Sequence, residues 1–139
     1  MERINSFAYD EEAILTAGDG VGVGKVFHYI NGKFNVHQRV YKISNFKGVY
    51  PKFFFEYFKE NFYNEVMKYT AKSSVDSVRR DMIDKMLIPV PNVEEQKQIS
   101  QILSDMNIEI EKLEIKLDKY KNIKRGMMEE LLTGKRRLI

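Results

Sequence analysis

Cysteine is absent, which excludes disulfide cross-links and thiolate metal sites. Histidine is nearly so: His28 and His37 are the only two, and no carboxylates stand with them at metal-ligand spacing. No apolar run approaches the length of a membrane span. The first residues, Met1-Glu2-Arg3-Ile4-Asn5-Ser6, lack the basic-then-apolar order of a signal peptide. A cytoplasmic protein without a membrane partner is the expectation. Catalytic patterns are missing too: there is no Ser-His-Asp order, no nucleophile elbow and no paired carboxylates. Asp81 and Asp84 fall about one helical turn apart, but charges so spaced read as a solvated face. No enzymatic activity, cofactor or metal is expected, and the chain reads as a binding and positioning protein.

What is present is organised around one stretch, Asn92 to Thr133, which reads as a single helix. Apolar residues recur at Ile99, Leu103, Met106, Ile110, Leu113, Leu117, Tyr120, Met127 and Leu131. Most steps alternate between four and three, the period of a coiled-coil seam. With Leu103 at position a, Lys124 also falls at a. At 1.5 Å per residue the helix spans roughly 60 Å, too long to lie across one small domain. Ile102, Ile108, Ile115 and Ile123 lie off the seam, so the apolar face is wider than a two-stranded coil needs. Asn92 can cap this helix with Glu95 three residues on. Gly134 suits its far end, followed by the basic Lys135-Arg136-Arg137.

The remainder is compact in character. Hydrophobic residues make up 43% and aromatics 12%, enough for a core, and the aromatics concentrate before residue 70. The formal net charge of +3 is compatible with nucleic acid without requiring it. Residues 1–12 are polar and acidic and read as a loop. Ala13 to Thr16, Val26 to Ile30 and Phe34 to Ile43 read as strands, with Asn31-Gly32 the strongest short-range turn signal. An antiparallel meander is predicted. The glycine stretch Gly18 to Lys25 invites the reading of a nucleotide-hydrolysing enzyme. A phosphate-cradling loop, however, needs glycine where Asp19 stands and Ser or Thr where Val26 stands. A tight turn with positive φ is the simpler account, though such bare backbone can approach a phosphate.

Pro51 suits a first helical position, and Phe54, Phe55, Phe58, Phe62, Val66 and Tyr69 then share one face. That stripe reads as core rather than a base-stacking platform, because so apolar a surface is hard to keep soluble. A short helix from Asp76 to Asp84 would turn Val78 and Met82 inward and leave Arg79 and Arg80 towards solvent or DNA. Met86 to Pro91 is extended, since residues before proline avoid the helical region, and is expected to be an edge strand. The fold class is α+β: a small mixed module with antiparallel strands and short helices over residues 1–91. One long C-terminal coiled-coil helix over 92–134 and a basic tail over 135–139 complete it.

Met86-Leu-Ile-Pro-Val-Pro-Asn-Val-Glu-Glu-Gln-Lys-Gln-Ile99, continuing to Ile102-Leu103-Ser104, resembles a junction in specificity subunits of type I restriction-modification systems. In that family a target recognition domain ends in an Ile-Pro-x-Pro strand and a helix opens with Glu-Glu-Gln. Lys124-Arg125-Gly126-Met127-Met128-Glu-Glu-Leu131-Leu132-Thr133-Gly134-Lys135 resembles the end of that helix. The Gly24-Lys25-Val26 turn, the Asn35 to Arg39 strand and the Tyr69 to Ser74 segment resemble the recognition domain. The resemblance implies two recognition domains, each reading half of a bipartite double-stranded DNA target, spaced by antiparallel helices. It also implies a methyltransferase (modification) subunit as partner, with a restriction subunit as an optional further member. One domain and one helix correspond to a half subunit. The late start relative to family domains leads us to expect a partial recognition domain from the C-terminal part of such a subunit.

A helix with an open seam is expected to pair with a second copy. Lys124 at an a position disfavours a parallel homodimer, where two lysines would face each other, and so favours the antiparallel one. For DNA contacts the chemistry points to Asn35, His37, Gln38, Arg39 and Lys42 on one strand. A second group is Lys72, Ser73, Ser74, Arg79 and Arg80, with Lys25 at the glycine turn. Arg and Gln can read guanine and adenine edges, whereas Lys and Ser more often hold phosphate. The alternative is a coiled-coil interaction or decoy module that binds methyltransferase or specificity subunits and reads no DNA.

Overall fold

The computed structural model describes residues 6–69 and 77–139. The chain divides into two compact units, Met1–Ser100 and Gln101–Ile139. The first holds strands β1 (Tyr9–Ala17), β2 (Phe27–Phe34) and β3 (Val40–Ser44) and helices α1 (Pro51–Met67) and α2 (Arg80–Asp84). Helix α3 (Val93–Leu132) begins in the first unit and makes up most of the second.

Strand β1 is the centre of the sheet. Its order is β2-β1-β3, both pairings antiparallel. Ala13, Ile14, Leu15 and Thr16 are all buried, because side chains alternate between faces and both faces are covered. On one face Ile14 packs with Val23, Phe58, Phe62, Val66, Val78 and Met82. On the other, Ala13 and Leu15 meet Phe34, with Ile30, Val36 and Val40 at the margin.

This topology corrects the meander and the Asn-Gly turn. Asn31 and Gly32 lie inside β2, opposite Glu12 and Glu11. The β1–β2 connection is the glycine stretch, as expected, tightened by a 3₁₀ turn at Gly20–Gly22. The third strand is shorter than Phe34 to Ile43, and it pairs with β1 rather than β2. The physical reason is burial: the run Ala13 to Thr16 is the most deeply buried stretch of the sheet, and placing β1 centrally shields both its edges and its faces. The acidic run Asp10 to Glu12 is likewise strand rather than loop. Lys42 bonds Glu11 and the Tyr29 hydroxyl donates to Glu12, so two of these three carboxylates have partners within the sheet.

Helix α1 starts at Pro51 as expected, but its buried positions are Phe53, Phe58, Phe62 and Val66. Phe54 and Phe55 are half-buried, and Tyr69 is exposed beyond the helix end. Stacked rings run along it, 5.3 Å from Phe54 to Phe58 and 4.3 Å from Phe58 to Phe62. Phe27 of β2 meets Phe58 edge-on at 5.5 Å, which ties helix to sheet. Val78 and Met82 are buried as expected, although α2 is only five residues long. Met86 to Pro91 forms no strand.

The Asn92 cap is present: its Oδ1 accepts the Glu95 N–H at 3.0 Å. One turn on, Gln96 is fully buried. Its Oε1 accepts the Tyr50 N–H at 2.7 Å, and its Nε2 donates to the carbonyls of Pro91 at 2.7 Å and Gly48 at 3.4 Å. The start of α3 is thus bonded to the segment that leads into α1. In the second unit α3 ends at Leu132 and is followed by Gly134, whose φ of 72° is left-handed, with Arg136 N–H bonding the Glu130 carbonyl at 3.0 Å.

Two outcomes follow from these contacts. Gln96→Ala leaves buried backbone groups unpaired and is expected to destabilise by about 2–4 kcal/mol in urea unfolding. Tyr29 has its pKa pushed up to about 12, by burial first and then by its hydrogen bond to Glu12. An unfolded tyrosine titrates near 10, so the folded state keeps its proton longer. Stability is therefore full below about pH 10 and falls as pH rises towards 12, and Tyr29→Phe flattens that part of a melting-versus-pH curve.

Candidate nucleic-acid interface

Three segments distant in sequence are laced together at the end of β1. Gly18 donates its N–H to the Arg39 carbonyl and accepts the Val78 N–H on its own carbonyl, both at 2.8 Å. Asp19 forms an isolated antiparallel bridge with Ser77. The Tyr41 hydroxyl donates to the Val78 carbonyl at 3.0 Å. Only glycine fits at position 18: an added Cβ would stand 2.9 Å from the Arg39 carbonyl oxygen and 3.2 Å from the Tyr41 ring.

The turn before β3 is shaped by His37. Its carbonyl accepts the Val40 N–H at 3.0 Å and its Nδ1 faces the Arg39 N–H at 3.3 Å. His37, Gln38 and Arg39 are exposed in this turn, rather than standing on a strand. The Arg39 guanidinium lies 3.5 Å from the Asp19 carboxylate. Asp19, Gln38, Arg39, Tyr41 and Ser77 line a cleft of about 370 Å³.

A second cleft of about 470 Å³ lies beside it and brings Lys42 together with Arg80, Tyr41 and Asp84. Lys42 is less free than its chemistry suggested. It bonds Glu11, holding that carboxyl below the usual range through the hydrogen bond first, and sits 4.0 Å from the Tyr9 ring. Arg79 and Arg80 are exposed, 3.5 Å from Asp81 and 3.2 Å from Asp84 respectively. Asn35 acts as a clip: its Oδ1 accepts the Ala8 N–H at 2.7 Å and its Nδ2 donates to the Ser6 carbonyl at 3.0 Å. Lys25 lies against α1, 6.0 Å from the Tyr63 ring. Lys72, Ser73 and Ser74 fall outside the described residues.

The structure therefore groups Gln38 and Arg39 with Asp19, Ser77 and Val78, and brings Lys42 to Arg80. Asp19 joins this group although the glycine stretch, by its local pattern, points only to a phosphate loop or a turn. An acidic residue flanked by glycines was the available signal. Such a grouping can present hydrogen-bond donors and acceptors to a base edge. Gly18→Val should force the β3 turn away from β1, with a cost of about 1–3 kcal/mol by overpacking. A lowered melting temperature with wider amide exchange at Arg39 and Val78 is the expected observation.

Residues 1–118 match the type I restriction modification DNA specificity domain. The type I restriction enzyme MjaVIII specificity subunit of Methanocaldococcus jannaschii is 29% identical over 127 residues, covering 89% of this chain and 29% of that protein. The type I restriction enzyme EcoDI specificity subunit of Escherichia coli is 26% identical over 133 residues, 96% of this chain and 29% of its own length. A second M. jannaschii protein, provisionally named as the MjaX specificity subunit, is 34% identical over 86 residues, 60% of this chain and 20% of its own length. The chain thus spans less than a third of each of these relatives. With a family match over most of its length, the chain belongs to the DNA specificity domains of type I restriction-modification systems.

Proposed function

We propose that this chain reads one half of a bipartite double-stranded DNA target for a type I restriction-modification assembly. Residues 1–91 act as the reading module, part of a target recognition domain, and α3 acts as the spacer. The chain does no chemistry itself and positions a methyltransferase subunit, with a restriction subunit as a further member. The observation that carries this reading is the seam of α3. Met106, Ile110, Leu113, Leu117, Tyr120 and Met127 are each 43–58% exposed, in a row at heptad spacing. An apolar row of that length marks an interaction surface, and its period suits another helix.

The partner helix is that of a second copy, antiparallel, so that two reading modules stand at the two ends of the pair. Lys124 supports that orientation, because it would face its own copy in a parallel pair. A helix of 40 residues is about 60 Å long, and DNA rises about 3.4 Å per base pair. Two specified blocks separated by an unread gap of set length follow from that geometry.

A second reading, an interaction or decoy module that does not read DNA, draws on the charge balance. Arg39, Arg79 and Arg80 each stand beside an aspartate. Paired cations attract a phosphate backbone less than free ones do.

Sizing of the purified chain tests the spacer. A dimer is expected for the wild type and a monomer for Leu113→Glu with Leu117→Glu, with the melting of residues 1–100 unchanged. Binding to a random duplex library, alone and with the neighbouring methyltransferase subunit, tests the reading. Selected sites and affinity that drops with salt support it; a stable complex that selects no site supports the decoy instead.

A further inference from the structure

Asp19 is an acidic residue on the surface proposed to meet DNA, where a bare carboxylate would repel phosphate. It begins the 3₁₀ turn, yet its side chain makes no capping hydrogen bond. Its carboxylate instead stands 3.5 Å from Arg39, with the two side chains 43% and 65% exposed. An ion pair that open contributes little to stability. What distinguishes it is the rigidity beneath. The backbone of Asp19 is bridged to Ser77, Gly18 is bonded to Arg39 and Val78, and the His37 turn fixes Arg39 from its other side. The backbone that carries this exposed pair is held from three directions.

We propose that Arg39 reads a guanine in the major groove and that Asp19 is its positioning residue. The guanidinium can give two parallel N–H groups to guanine O6 and N7 only if its plane is set. The carboxylate lies 3.5 Å from one Nη of the guanidinium, on one edge of that plane, and leaves the opposite edge to the base. The same carboxylate is an acceptor suited to the cytosine N4 amine of the paired base, so the two side chains together match one G·C pair. Val21, at the tip of the same glycine turn, is almost wholly exposed and lies two residues from Asp19. An aliphatic side chain there suits a thymine methyl beside that pair.

This inference rests on the reading of the chain as a DNA-sequence reader, and one experiment separates the two. The chain with its methyltransferase subunit is used to select sites from a random duplex library at fixed salt, as wild type, Arg39→Ala, Arg39→Lys, Asp19→Ala and Asp19→Asn. The wild type is expected to select a half-site with an invariant G·C position. Arg39→Ala should lower the preference at that position alone, roughly 10- to 100-fold. Arg39→Lys keeps the charge and should lose the preference without losing affinity for unrelated duplex. Asp19→Ala should weaken the same preference while raising affinity for unrelated duplex, since a negative charge is gone; Asp19→Asn should restore part of it. A merely structural Asp19 would lower binding to all sequences together with the melting temperature. A wild type that selects sites which all four variants select equally overturns the assignment of Arg39 and Asp19 while leaving the reading function standing. A wild type that selects no site overturns both.

Discussion

Burial of strand β1 on both faces is the constraint from which the rest of the first unit follows. Ala13, Ile14, Leu15 and Thr16 lie in succession with almost no exposure, so covers are needed above and below. Full burial of an Ile or Leu side chain is worth about 1.5–3 kcal/mol, a large part of what a small domain has in surplus. Helix α1 supplies one cover through Phe58, Phe62 and Val66, and Phe34 with Val36 and Val40 supplies the other. A strand buried in this way also cannot leave an edge open. That is why β2 and β3 both pair with it, and why the chain between them, from Phe34 beside Tyr9 to Val40 beside Ala17, crosses over one face of β1.

The crossing creates the candidate interface. Ala17 pairs with Val40, so Gly18 meets Arg39 at the next position along the ladder. Segment 77–79 then adds to the free side of Gly18. Side chains carried here are anchored by sheet-like hydrogen bonds although none of them lies in a regular strand. The surface is charge-balanced, each arginine standing beside an aspartate. Such a surface favours discrimination between hydrogen-bonding partners over plain attraction to anions.

Helix α3 combines two environments. In its first turns Gln96 and Ser100 are buried, and the Ser100 hydroxyl donates to the Gln96 carbonyl at 2.8 Å. These polar residues are inside because they bond backbone groups that water cannot reach. From Gln101 onward the apolar seam is open, with charged residues around it paired at helical spacing, as in Lys112 with Glu109. The Glu94-Glu95-Gln96 opening therefore has a physical account: acids suit the positive end of the helix dipole, and the glutamine fastens that end to the loop before α1.

Local and periodic features were legible in the sequence. The 3.5-residue repeat, the Asn92 cap, the Gly134 stop, Pro51 at a helix start and the inward Val78 and Met82 each depend on residues close together in the chain. The family resemblance, carried by the Pro89 to Ile99 junction and the Lys124 to Lys135 end, was legible for the same reason. Strand order was not. Asn31-Gly32 is a turn signal by local propensity, and it was overruled by pairing with Glu11 and Glu12, which are twenty residues away. Asn35 and Lys42 have the chemistry of DNA contacts, but the fold commits one to clipping Ser6 and Ala8 and the other to Glu11. Where the long helix and α1 begin, and which of their positions are apolar, follows from spacing along one segment and can be read from the residues alone. Which strand is central and which polar side chains remain free depends on partners that arrive from elsewhere in the chain, so both emerge only on folding.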